Sequence, residues 1–303
     1  MRNYPRRTFL KHSAAFTSAA ITCGITLPSA VAETGHGASH PFFTQAKNRP
    51  EVIAHQGGKG QWPGETIFSL DQATKLGADV LEFDVHSTRD GHLVLMHNPT
   101  VDETSNGRGR INRMLLKEIK KLDAGYRWTA NGGRTFPFRG KNIDVPTLDE
   151  VFQKFKNKRM NIEIKQSEPS IIAPLCTLIE KHNVSDKVLV ASFSHRDLET
   201  FRSRCPNVAT SASPQELVKF RWGNNSPFNS GSRPDCLQVK DKVLAVRVIT
   251  PDSVAKARRL NLPLHAFTVN DIERMKKMLA LEVDGIITDY PGLLLALLER
   301  GPR

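Results

Sequence analysis

The chain is 303 residues long and carries a formal net charge of +12. That length suits one barrel-sized domain with a full core rather than two domains. The basic balance favours anionic substrates or anionic membrane surfaces, and only weakly nucleic acid, while saying nothing about fold.

The chain opens with Arg6 and Arg7 in PRRTFLK, followed by an uncharged apolar stretch from Ala14 to Ala32 that ends in AVA, a small-residue cleavage pattern. Residues 1–32 are therefore expected to be a cleavable export signal, delivering the mature chain to the periplasm or the medium. The twin arginine followed by Phe9, Leu10 and Lys11 resembles the bacterial twin-arginine type, with Pro5 where Ser or Thr is usual. A membrane anchor is the alternative, weakened by Gly24 and Pro28 inside the stretch and by the lack of a cytoplasm-facing stop. Cys23 in AITCG is a poor lipid-attachment match. Loss of this leader removes Arg2, Arg6, Arg7 and Lys11 and no acid, so 271 residues remain and the charge falls from +12 to +8. Cys176, Cys205 and Cys236 stay, an odd number without metal-ligand spacing, which permits one disulfide and leaves at least one thiol free.

Residues 33–50 lack periodicity and read as a tail or linker, and 51–303 as one domain. A strand at Val52 to His55 leads to the helix ETIFSLDQATKLG, with an apolar face and Gly77 as its stop. A second strand, Val80 to Val85, is followed by a turn at Asp90 and Gly91 and an extended segment, His92 to His97, that should pair with it as a hairpin. Residues 100–146 break the rhythm with Gly, Asn, Arg and short helical pieces, and read as a lid or insertion near the active face. Then come the helix TLDEVFQKF, a strand at Met160 to Ile164, a helix at Ile171 to His182, a strand at Val188 to Ala191, a helix at Arg196 to Arg204 and further strands near 208, 237, 264 and 285. Eight strands alternating with helices predict an α/β fold, a (β/α)8 TIM barrel with a small insertion after the second strand, in preference to an open doubly wound sheet. Neither an internal repeat nor a low-complexity tract is present.

Two pairs spaced i, i+2, Glu82 with Asp84 and Glu163 with Lys165, lie inside apolar, β-branched runs (VLEFDVH, MNIEIKQ). On a strand both members of a pair point to one face. Buried carboxylates there need a compensating charge, and a hard divalent cation prefers oxygen ligands such as Glu82, Asp84 and Glu163. His55 and His97 also fall at strand ends, where barrel active sites lie. His86 shares the parity of Glu82 and Asp84 but sits further along the strand and is read as structural. Asp289 is read as a strand-end or loop-capping residue, and the Gly57–Gly58 pair as a turn.

HQGG at 55–58, LEFDVHSTRDG at 81–91, LVLMHNPTVDETSNGRG at 93–109 and NIEIK at 161–165 together resemble the glycerophosphodiester phosphodiesterase family. LDAG at 122–125 and TVNDIERMKKMLALEVDGIITDYP at 268–291 extend the resemblance over residues 50–299. It implies a barrel, a divalent metal (Ca²⁺ or Mg²⁺) on Glu82, Asp84 and Glu163, a phosphate contact from Lys165, and His55 and His97 as general base and acid. Such an enzyme would turn glycerophosphodiesters such as glycerophosphocholine or glycerophosphoethanolamine into sn-glycerol 3-phosphate and an alcohol. Its partner is then a small-molecule phosphodiester, with transient contact with membrane lipids, no nucleic acid and no obligate protein partner. Lysophospholipase D or sphingomyelinase D-like activity, or a non-catalytic phosphate-ester-binding role, are the alternatives.

This sequence departs from the family pattern at several positions. Gln56 replaces the usual arginine after the first histidine, leaving a neutral amide to meet phosphate. Asn98 replaces the usual acid after the second, so it can orient His97 by a hydrogen bond but not by charge. PENT appears as Pro63, Gly64, Glu65 and Thr66, and Glu65 either rims the metal site or begins a helix. Gln238, Phe267 and Asn270 are expected to wall the alcohol pocket, Phe267 standing where the family often has Trp.

Overall fold

The computed structural model describes residues 39–44, 50–223, 228, 233–243 and 246–301. The expected signal, residues 1–32, and most of the expected tail lie outside them. Strands and helices alternate eight times: β1 (Glu51–Ala54), α1 (Ile67–Leu76), β2 (Val80–Ser87), α2 (Leu148–Phe155), β3 (Arg159–Ile164), α3 (Ile172–His182), β4 (Val188–Ser192), α4 (His195–Arg204), β5 (Ala209–Thr210), α5 (Pro214–Trp222), β6 (Leu237–Val239), α6 (Pro251–Arg259), β7 (Leu264–Ala266), α7 (Ile272–Ala280), β8 (Gly285–Thr288) and α8 (Pro291–Leu297). Each strand runs parallel to the next, and β1 pairs with both β2 (Ile53 with Val80) and β8 (Ala54 with Thr288). A parallel bridge from Ser211 to Cys236 joins the ends of β5 and β6 and closes the ring. The result is the expected (β/α)8 barrel.

Side-chain alternation sorts each strand into two faces. Val52, Ala54, Leu81, Phe83, Val85, Met160 and Ile162 face outward and pack with the apolar stripes of the helices, among them Leu70, Val151, Phe152, Leu175 and Phe201. Ile53, Val80, Leu189, Ala209, Cys236 and Ile287 face inward and fill the barrel. Helix ends follow the sequence: Thr66 caps α1 by accepting from Ser69 N–H, worth about 1 kcal/mol, and Gly77 ends it at φ +96°.

Two local outcomes differ from or refine the sequence reading. Pro41–Thr44, placed in the tail, is a helical turn whose Phe42 and Phe43 are buried against the inward-facing residues. They complete the apolar filling that short strands leave open. Beside them Arg159 Nη1 pairs with Glu51 Oε1 at 2.5 Å, so the buried charges are compensated. After β2, Leu93–Leu95 pairs antiparallel with it (Val85 with Leu95), as the Asp90–Gly91 turn requires. The segment from 96 to 146 then forms a compact appendage around Met96, Val101, Ile111, Ile119, Ala124, Ile143 and Val145. Trp128 Nε1–H donates to the Lys59 carbonyl at 2.9 Å and ties the appendage to the loop after β1.

Cys176 of α3 and Cys205, just after α4, form a disulfide, and Cys236 is free and buried. The bridged residues are 29 apart in sequence, so chain-entropy arguments give the bond about 3–4 kcal/mol of stability. Replacing both cysteines by alanine should lower the unfolding free energy from urea titration by that amount, and with it the midpoint, and a reducing agent should do the same to the native chain. Superimposable unfolding curves with and without reductant would show that the bond does not form in solution.

Candidate active site

Glu82 and Asp84 of β2 and Glu163 of β3 point inward at the carboxyl ends of adjacent strands, because Asp84 pairs directly with Glu163 in the parallel register. One oxygen from each lies within 4.8 Å of the others. Lys165, one residue past β3, brings Nζ to 2.7 Å from Glu163 Oε1 and 3.3 Å from Asp84 Oδ1. A fourth carboxylate joins them. Glu65, in a left-handed backbone conformation at φ +61°, accepts the Asp84 backbone N–H at 3.2 Å, so it rims the acidic group rather than merely opening α1.

The electrostatics follow from crowding. Burial, followed by the charges of Asp84 and Glu163, pushes the Glu82 carboxyl up to about 8, against the opposing pull of His55 and the Gln56 N–H. Burial and then Asp84 raise Glu163, and burial with Asp84 and Glu82 carries Glu65 well above the ordinary carboxylate range. Lys165 is raised although burial opposes its charge, since Asp84 and Glu163 outweigh that cost. One ammonium among four carboxylates leaves negative charge in excess. Asp84 Oδ1 and Glu163 Oε1 are buried and meet only the Lys165 ammonium among the described side chains. Hard oxygen donors so arranged fit a divalent cation such as Ca²⁺ or Mg²⁺.

His55 stands directly after β1. Its Nε2 is 3.9 Å from Glu82 Oε2, and its Nδ1–H donates to Asp289 Oδ1 at 2.5 Å. Burial works against a charged imidazole, but Glu82 and the Asp289 hydrogen bond prevail and the His55 pKa lies above the usual histidine value. Asp289 is lowered: burial opposes its charge, and His55 more than offsets it. This corrects the loop-capping reading of Asp289. Asn270, expected to wall the alcohol pocket, instead donates Nδ2–H to Asp289 Oδ2 at 2.7 Å and accepts the Asp289 N–H at 2.9 Å, fixing the carboxylate against the imidazole.

Gln56 braces the acidic group. At φ +50° its backbone N–H donates to Glu82 Oε2 at 2.8 Å, and its side-chain amide donates to Asp84 Oδ2 at 2.9 Å. It therefore holds two carboxylates of the acidic group in place. Gln238 and Phe267 line a cleft floored by Glu82, Asn161 and Glu163, and Phe193, Pro214 and Leu217 make its apolar flank. His97 lies elsewhere on the rim. Met96 N–H donates to the Asp84 carbonyl at 3.0 Å, which sets the next residue, His97, exposed beside β2. Its Nδ1–H donates to Asn98 Oδ1 at 2.8 Å, and Nε2 has no hydrogen bond among the described residues. His86 Nε2 lies 3.3 Å from the His97 carbonyl, Gln166 also bonds its ring, and burial lowers its pKa, in keeping with a structural role.

Residues 55–293 match the model of the glycerophosphoryl diester phosphodiesterase family. A glycerophosphodiester phosphodiesterase from Caldanaerobacter subterraneus is 34% identical over 82% of this chain and 98% of its own. One from Bacillus subtilis is 32% identical over 80% and 84%. Among solved structures, a phosphodiesterase of Oleispira antarctica, in complex with its product sn-glycerol-3-phosphate, superimposes with a TM-score of 0.67 at 24% identity, covering 83% of this chain and 97% of that one. At that identity the likeness speaks for the fold.

Proposed function

Since this chain belongs to the glycerophosphoryl diester phosphodiesterase family, we propose that it releases sn-glycerol 3-phosphate from small glycerophosphodiesters such as glycerophosphocholine, using a divalent cation and two histidines. The phosphodiesterase activity follows from the family; the cation, the roles of the histidines and the substrates are our reading. The observation that carries it is the meeting of the Glu82–Asp84–Glu163 set with a carboxylate-backed imidazole at the same strand ends.

A phosphodiester gains negative charge on the way to five-coordinate phosphorus and must expel an alkoxide. When bound, the cation would offset charge on the phosphoryl oxygens, and Lys165 lies beside the same group. The Asp289 carboxylate favours proton uptake at His55, which suits a base that takes a proton from water as the water oxygen bonds to phosphorus. The bond from phosphorus to the alcohol oxygen then breaks, and His97 gives its Nε2 proton to the departing oxygen. Asn98 orients His97 through its Oδ1. A second reading, hydrolysis of lysophospholipids, draws support from the apolar flank of the cleft, where Phe193 is 59% exposed. Product analysis across glycerophosphodiesters and lysophospholipids, with Ca²⁺ or Mg²⁺ present, tests both. Absence of sn-glycerol 3-phosphate from every glycerophosphodiester would overturn the first reading.

We also propose that the mature enzyme works outside the cytoplasm. Support comes from the PRRTFLK leader and from the Cys176–Cys205 disulfide, which persists in oxidising compartments. Changing Arg6 and Arg7 together to lysine should strand the precursor in the cytoplasm, and the exported native chain should begin at Glu33. An exported form that still begins at Met1 refutes cleavage.

A further inference from the structure

A second cleft, distinct from the apolar one, is lined in part by Lys165. Arg110, Lys165 and Glu168 line it, together with His86 and Pro99. It adjoins His97 through two links, the His86 contact to the His97 carbonyl at 3.3 Å and Pro99, two residues on. The backbone at Arg110 is held in place and its side chain is exposed. Its backbone bridges to Thr100, and the next residue, Ile111, donates N–H to the Pro99 carbonyl at 3.0 Å while its side chain is buried in the appendage. Among the described residues neither Arg110 nor Glu168 has an ion-pair partner, and the two do not pair with each other although they line one cleft.

We propose that this cleft receives the departing alcohol, and that Arg110 and Glu168 select an alcohol carrying both a carboxylate and an ammonium, as serine does. The inference rests on the phosphodiesterase reading and names which side of the site each half of the substrate takes. The cleft floored by Glu82 and lined by His55 takes the glycerol half. The cleft beside His97 takes the group that His97 protonates as it leaves, which puts proton donor and leaving oxygen together. A guanidinium offers a carboxylate a bidentate, charge-assisted contact, while Glu168 accepts from an ammonium. A neutral headgroup finds neither charge complemented, and an ethanolamine head satisfies only Glu168.

The test compares kcat/KM for glycerophosphoserine, glycerophosphoethanolamine and glycerophosphoglycerol. Arg110→Ala should lower the serine-to-glycerol ratio on the order of tenfold to a hundredfold, the usual scale for one lost charge-assisted contact. Arg110→Lys should restore part of it, and Glu168→Gln should lower the ethanolamine-to-glycerol ratio. An unchanged ratio for Arg110→Ala overturns the inference, as does an equal loss on all three substrates. Hydrolysis of glycerophosphoglycerol by the native enzyme checks the underlying reading separately, because that substrate has no charge for Arg110 or Glu168 to recognise.

Discussion

Excess EDTA should abolish hydrolysis of glycerophosphocholine, and added Ca²⁺ or Mg²⁺ should restore it. The reason lies in the charge balance of the strand ends. Glu65, Glu82, Asp84 and Glu163 crowd together around the single ammonium of Lys165, and the Glu82 carboxyl rises to about 8 as burial and its neighbours oppose its charge. A divalent cation relieves that repulsion and at the same time supplies positive charge where the phosphoryl oxygens must sit, a contribution of several kcal/mol. Glu82→Gln should therefore cost at least about a hundredfold in kcat/KM. Stability gives an independent reading. A ligand at a hundred times its Kd stabilises the folded state by about 2.7 kcal/mol, which for a domain of this size is roughly 5–10 °C in Tm. The native chain should show that rise with Ca²⁺ or Mg²⁺, and Glu82→Gln should not. Full rates in excess EDTA, with a Tm indifferent to both ions, would remove the metal from the reading.

The parts of this site that could be read from the sequence are those governed by strand parity. Glu82 with Asp84 and Glu163 with Lys165 had to share a face, and the parallel register of β2 and β3 then brings the faces together. The hairpin after β2 was legible too, because Asp90–Gly91 sits between two apolar runs. The partner of His55 was not, since Asp289 is 234 residues away. A signal for it did exist: once the barrel closes, β1 must lie beside β8, and with Ala54 opposite Thr288 the next residues on each strand, His55 and Asp289, are neighbours. The hold of Gln56 on two carboxylates is hidden in the sequence for a different reason. Sequence position suggests a side chain facing the substrate, but the left-handed turn at φ +50° swings both its N–H and its amide onto Glu82 and Asp84. Phe42 and Phe43 escaped notice because a single helical turn has no period to detect, although a barrel of such short strands needs apolar side chains to fill its interior.

Replacing His97 by alanine should damage hydrolysis of a choline ester far more than hydrolysis of a p-nitrophenyl ester. The two histidines differ in what holds them. His55 is buried and backed by the Asp289 carboxylate, itself fixed by Asn270, whereas His97 is exposed on the rim and oriented by the neutral amide of Asn98, with no hydrogen bond to Nε2 among the described residues. The carboxylate behind His55 favours proton uptake there, while Asn98 fixes the orientation of the exposed His97. Choline is a poor leaving group and needs that proton, so loss of His97 should cost on the order of a hundred- to ten-thousand-fold. A nitrophenolate departs without protonation, and its hydrolysis should fall by no more than roughly tenfold. His55→Ala removes the base that both substrates require and should impair them alike. Metal-dependent Tm shifts, measured on both variants, separate lost chemistry from lost architecture. Equal losses on the two esters for His97→Ala, with the Tm shift retained, would mean that His97 positions the substrate and that the proton reaches the alkoxide from another group.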